Sequence, residues 1–174
     1  MESYTIIVLL FGILILFLLI MTYFINRIVQ YQNKINKSFQ TVEDHLTERT
    51  ILLEDMINFL KQNLDHEQSY QKKLKEVKDQ IITIKNNKEG INLLKKTEKD
   101  FLSFTKLENT YQDLNKNKEY LQIKNNILSN HERLTYAFDS YDKGVINYNN
   151  YRENKLISIL SKLIKVPEYD CYNK

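Results

Sequence analysis

The sequence predicts an all-α protein, in which an N-terminal transmembrane helix continues into an antiparallel helical bundle of three long helices plus a short C-terminal helix. Three observations predict it. Residues 3–26 carry no charge. Beyond them, apolar residues recur at steps of three and four, the spacing of one helical face. The whole chain of 174 residues holds only three Gly and one Pro, too few turn-formers for a β-sandwich or barrel. The same counts exclude collagen-like and disulfide-scaffold classes, since Gly is scarce and Cys171 stands alone. Lys and Arg total 25 against 22 Asp and Glu, a net charge of +3. Mean hydropathy is −0.47 despite the apolar start, so everything after that start is strongly polar.

The first element runs from Tyr4 to Ile25, 22 residues. At 1.5 Å per residue it reaches about 33 Å, enough for a bilayer core with slight tilt. Tyr4 and Tyr23 fall near its ends, where amphipathic rings suit the headgroup layer. A cleaved signal would carry a basic start, a shorter apolar core and small residues at the cut. Here Glu2 is acidic and Tyr23-Phe24-Ile25-Asn26-Arg27 follows the run, with no Cys for a lipoprotein signal. Arg27, Lys34 and Lys37 lie on one side of the span and Glu2 on the other. Basic flanks stay cytoplasmic, so the expected topology is N-terminus outside and bulk inside. That gives an external residue run 1–3, a span 4–25, a cytoplasmic bundle 26–166 and a tail 167–174.

The next helix is expected to prolong the span, because no Gly or Pro interrupts residues 13–89. Its stripe is Ile28, Tyr31, Ile35, Phe39, Val42, Leu46, Leu53, Met56, Leu60 and Leu64, broken at Arg49. A second stretch carries Leu74, Val77, Ile81 and Ile84, bends over Lys85–Gly90, and resumes with Ile91, Leu94, Phe101, Leu102, Phe104 and Leu107. Asn and Asp mark a loop at Glu108–Asn117. The third stretch is the most regular: Tyr120, Ile123, Ile127, His131, Leu134, Phe138, Tyr141, Val145 and Tyr148. Asn117 is its expected cap, and Gly144 reads as a place of close helix approach. Residues 155–166 (KLISILSKLIKV) are short, apolar and basic. They read either as a fourth helix on the bundle or as an amphipathic helix on an anionic membrane surface, through Lys155, Leu160, Lys162, Ile164 and Lys165.

Two blocks carry a family resemblance. The first comprises Asn26, Ile28, Val29, Phe39, Val42, Leu46, Arg49, Leu52, Leu53, Met56, Ile57, Leu60, Lys61 and His66-Glu67. The second comprises Tyr111, Asp113, Leu114, Asn117, Tyr120, Leu121, Ile123, Leu134, Tyr141, Val145 and Tyr148-Asn149. In order and spacing, over roughly residues 23–165, they resemble the LemA family of bacterial membrane-anchored helical proteins. Departures stand at Ile25, Glu54, Gln112, Asn115, His131, Phe138 and Asn154-Lys155, as in a divergent member. The resemblance implies a short external N-terminus, one span in a bacterial cell membrane and a cytoplasmic bundle. It implies no established chemistry.

Arg49 reads either as an anion or partner site, or as an arginine whose stem covers the seam while its head pairs with a carboxylate. His131, in the seam with Glu132 beside it, reads as a histidine bonding across the core. Metal-binding His-Glu-x-x-His and Glu-x-x-His spacings are absent from the chain, so no metal is expected. Tyr136, Tyr141, Tyr148 and Tyr151 read either as a recognition surface or as packing: Tyr141 and Tyr148, seven apart, share a face at the core or its edge, Asn149 is a further seam or partner candidate, and Tyr136 and Tyr151 are less constrained. No Gly-rich phosphate loop or nucleophile elbow is written here, and no cofactor is expected. A pI of 8.7 with interspersed acids is no footprint of nucleic-acid binding. The expectation is a non-enzymatic scaffold or docking module at the inner membrane face, with a protein partner of unspecified identity. Self-association is also compatible with the exposed stripe. The alternative is a lipid-binding, membrane-remodelling or envelope-stress component acting through residues 155–166.

Overall fold

The computed structural model describes residues 2–63, 68–85, 101–154, 157–158, 161 and 166–172. The described elements are α1 (Glu2–Asn63), α2 (Gln68–Lys85), two 3₁₀ helices η1 (Phe104–Asn109) and η2 (Gln112–Lys116), and α3 (Lys118–Glu153). No described residue lies in a strand. The span and the stripe after it are one helix, as the absence of breakers predicts. The bend at Lys85–Gly90 and the apolar run at 91–100 fall outside the described residues, apart from the backbone of Lys85, which ends α2.

The chain divides into two compact units. Met1–Ser38 and Tyr141–Tyr172 belong to the first, Phe39–Ser140 to the second.

In the second unit, α1 buries Val42, Leu46, Leu53, Met56 and Leu60, together with Leu52, Ile57 and Phe59. The stripe is thus wider than a two-helix seam, as it must be for a helix with more than one neighbour. α2 contributes Leu74, Val77 and Ile81, and Lys78 reaches Glu54 of α1 at 3.1 Å. α3 contributes Tyr120, Ile123, Ile127, Leu134, Ala137 and Phe138. Phe59 meets Tyr120 at 5.9 Å between ring centroids, and Arg49 meets Asn130. Residue numbers fall on α3 as they rise on α1, so the two helices are antiparallel.

The expected loop at Glu108–Asn117 is mostly helical instead. Leu107 and Leu114 are buried, and these apolar anchors draw the segment into η1 and η2. The amides of Thr110 and Tyr111 both donate to the Leu107 carbonyl, at 3.0 and 2.9 Å. Asn117 ends η2 in an extended conformation, and its Oδ1 accepts from the Tyr120 amide at 3.0 Å. That is the predicted N-cap of α3.

In the first unit, α1 buries Phe24, Ile28 and Ile35 while α3 buries Tyr141, Val145 and Tyr148. Tyr31 meets Tyr148 edge-on at 6.4 Å, and Phe24 stacks on Tyr151 at 6.2 Å. This pair too is antiparallel. Gly144 lies within α3 without ending it, and a Cβ there would touch Ile35 Cγ1 at 3.4 Å. The segment expected as a C-terminal tail returns onto this unit, with Tyr169 packed edge-on against Tyr148 at 5.3 Å.

Candidate functional site

Two polar constellations, one in each unit, hold four of the sequence-predicted site residues, Arg49 in one and Tyr141, Tyr148 and Asn149 in the other. In the second unit, Arg49 and Asn130 are both 0% exposed. The Arg49 Nε donates to Asn130 Oδ1 at 3.1 Å, and its guanidinium lies 4.0 Å from the centroid of the Phe101 ring. A planar cation over an aromatic face keeps part of the attraction it loses on leaving water. Asn130 Nδ2 in turn donates to the His45 carbonyl at 3.0 Å and to Glu48 Oε2 at 3.1 Å. Only an amide both accepts from the cation and donates to the two acceptors. At the rim, Arg133 donates to the other Glu48 oxygen, and His45 Nδ1 lies 3.3 Å from Oε2. Burial works to raise the Glu48 carboxyl, but the bonds from Asn130 and His45 and the charge of Arg133 outweigh it and hold it below its ordinary value. The arrangement hydrogen-bonds a buried guanidinium and links it, through one amide, to a carboxylate at the rim.

His131, expected in the seam, is half-buried, and its neighbour Asn130 takes the fully buried position. Both follow Ile127 at helical spacing, so periodicity alone does not separate them. Pairing with Arg49 does.

Glu108, inside the expected loop, ties η1 to α3. It accepts from the Tyr120 hydroxyl through Oε2 and from Lys124 Nζ through Oε1. Burial opposes the charged form, yet these two donors lower its pKa. The phenol of Tyr120 is pushed upward, by burial first and then by Glu108.

In the first unit, Tyr141, Tyr148 and Asn149 converge on one task. The Tyr148 hydroxyl donates to the Pro167 carbonyl at 2.5 Å, and Asn149 Nδ2 to the Tyr169 carbonyl at 3.2 Å. The Tyr141 hydroxyl donates to the Asp170 carbonyl at 3.2 Å. Asp142 Oδ1 accepts from the Tyr172 amide at 2.5 Å, and Arg152 meets Glu168 at 2.8 Å. Three side chains seven or eight positions apart or adjacent on α3 thus hold backbone carbonyls of residues 167–172, a clasp that reads chain geometry more than side-chain identity. Burial pushes the Tyr141 phenol up to about 12, with Asp142 adding to it. Asn149 Oδ1 and the Tyr151 hydroxyl are buried without a hydrogen-bond partner. Tyr136 is 74% exposed.

Lys155, Leu160, Lys162, Ile164 and Lys165 lie outside the described residues. Asp142, Glu108 and Asn130 are the site residues that sequence reasoning missed. Asn130 alone left a signal, a polar residue at core spacing between Ile127 and Leu134.

Among the described residues, one helix is long and apolar enough to cross a membrane. From Tyr4 to Ile20 it is exposed at every position, and the hydroxyl of Thr22 is satisfied by the Leu18 carbonyl at 2.9 Å. The class is therefore an all-α protein in which a membrane-compatible N-terminal helix extends into antiparallel helix pairing. Residues 38–174 match the sequence model described as LemA family, and the chain belongs to that family. No curated protein and no solved structure matches it.

Proposed function

We propose that this chain is a single-pass, membrane-anchored docking module without enzymatic activity, its helical part at the inner face of a bacterial cell membrane. The observation that carries the reading is the exposed, charge-free run Tyr4–Ile20 on the same helix whose later turns bury Ile28 and Ile35. Such a surface is stable in lipid and costly in water. Anchoring confines the helical part to two dimensions and raises its effective concentration near membrane partners. The polar side chains most suited to chemistry are engaged within the protein: Arg49 on Asn130 and Phe101, Glu108 on Tyr120 and Lys124, Tyr148 on Pro167. That commitment supports a binding role over catalysis. Basic flanks at Arg27, Lys34 and Lys37 support the orientation.

The test is proximity labelling in living cells, with the labelling enzyme joined after Lys174 through a long flexible linker that leaves the clasp undisturbed. The expected result is a reproducible set of cytoplasmic and membrane neighbours at native expression. Labelling confined to the external compartment overturns the orientation, and a profile equal to that of a free membrane-tethered enzyme overturns the docking role.

A further inference from the structure

A cleft of about 190 Å³ opens in the first unit, lined by Phe24, Ile25, Ile28, Val29, Gln32 and the segment Val166-Pro167. Its lining is apolar except at Gln32. Ile25 and Val29 are each 44% exposed. They continue, at helical spacing, the face of α1 that carries Leu14, Leu18 and Met21 within the span. The cleft floor is therefore the prolongation of the surface read above as lipid-facing, with no charged residue on that face from Leu14 to Val29. The groups suited to a headgroup layer leave α1 on other faces: Arg27 lies over the Tyr31 ring at 5.2 Å and donates to Gln30 Oε1 at 3.2 Å, and the exposed Tyr23 stands one turn before it. An apolar slot that prolongs the lipid-facing surface of the span matches one ligand chemistry: a hydrocarbon chain entering from the bilayer.

We propose that this cleft seats part of an acyl chain of a membrane lipid, between α1 and the Val166-Pro167 segment. The proposal rests on the membrane reading of residues 4–25. Its lining residues are other than the membrane-surface candidates Lys155, Leu160, Lys162, Ile164 and Lys165. A seated chain touches α1 and Val166-Pro167, and the Pro167 carbonyl accepts from Tyr148, so it couples lipid occupancy to the hold on residues 167–172.

The experiment uses the full chain in nanodiscs of phosphatidylglycerol and phosphatidylethanolamine, doped with phosphatidylglycerol bearing a photoactivatable diazirine on its acyl chain. Peptides are mapped by mass spectrometry after irradiation. Adducts are expected on residues 4–20, on residues 24–32 and on the peptide holding Val166-Pro167. Val29→Trp, which fills the slot, is expected to reduce adducts at Val166-Pro167 several-fold while those on residues 4–20 persist. Val166→Trp, filling it from the opposite wall, is expected to do the same to residues 24–32, so the test survives if one variant fails to fold. Adducts on residues 4–20 alone, adducts insensitive to both fillings, or crosslinks from Ile25 and Val29 to a second copy of the chain each overturn the proposal and leave the span intact. Absence of adducts on residues 4–20 overturns the span and the cleft together.

Discussion

Arg49 and Asn130 stand 81 residues apart in the chain and are joined by a 3.1 Å bond from Nε to Oδ1, both side chains shut off from solvent. A cation in a helical core is tolerable only where its donors are met and its charge is balanced. Asn130 meets one donor and passes the polarity on to Glu48, which meets Arg133 at the rim. The pair also states the α1–α3 register, because it closes only when these two positions face each other.

Removing Asn130 is expected to be severe. Asn130→Leu leaves the Arg49 Nε bond unmade in a buried site and is expected to cost about 2–3 kcal/mol. Combining it with Arg49→Met removes the Nε donor as well as its acceptor, so the double variant is expected to lose less than the two single losses together. Urea unfolding followed by helical circular dichroism, on the full chain in detergent, measures the coupling. Strict additivity overturns the pairing.

Acid is expected to weaken the second unit through Glu108 and Glu48. Both carboxyls titrate below their ordinary value of 4.5 in the folded protein. A folded-state pKa below the unfolded one means stability that is present above the unfolded value and is lost as pH falls through the folded one. The melting temperature should hold above about pH 5 and decline below it. Glu108→Gln should lower the plateau and flatten the decline. A decline of equal slope in that variant removes Glu108 from the account.

Gly144 tests how closely α1 and α3 approach. A Cβ at that position would sit 3.4 Å from Ile35 Cγ1, an ordinary contact. Gly144→Ala is therefore expected to stabilise by up to about 1 kcal/mol, through helix propensity and a stiffer unfolded chain. Gly144→Leu drives a larger side chain into Ile35 and is expected to cost about 1–3 kcal/mol. Thermal melting of both variants reads the sign.

The clasp on residues 167–172 is expected to loosen one bond at a time. Tyr148→Phe removes the donor to the Pro167 carbonyl, and Asp142→Ala removes the acceptor for the Tyr172 amide. Each is expected to cost about 1 kcal/mol locally. Hydrogen exchange in residues 167–172 should accelerate in each variant while α1 stays protected. Exchange unchanged in both variants dismisses the clasp.

Much of the helical framework was legible before any coordinates. The charge-free start, the unbroken stretch to residue 89 and the three-four spacing on Tyr120 to Tyr148 announce α1 and α3, and Asn117 announces where α3 begins. Arg49 was legible as an interruption, since a charge in an apolar stripe demands a partner. The partner was not legible. Asn130 and His131 both satisfy helical spacing from Ile127, and a local pattern has no access to a contact across 81 residues. The segment Glu108–Asn117 misled because its Asn and Asp residues favour turns, while the decisive groups are two leucines and the long-range bonds of Glu108.

The amino-acid order alone determined that this chain is helical, that its first two dozen residues suit lipid, and which faces of α1 and α3 turn inward. These properties depend on spacing and polarity over a few turns, which physics reads locally. Tertiary structure decided what those faces meet: Asn130 as the seat of Arg49, Glu108 as the tie of a 3₁₀ turn to α3, and the last residues as a strap under Tyr141, Tyr148 and Asn149. Each of those is a hydrogen bond between groups distant in sequence, and its geometry exists only once two helices have settled side by side.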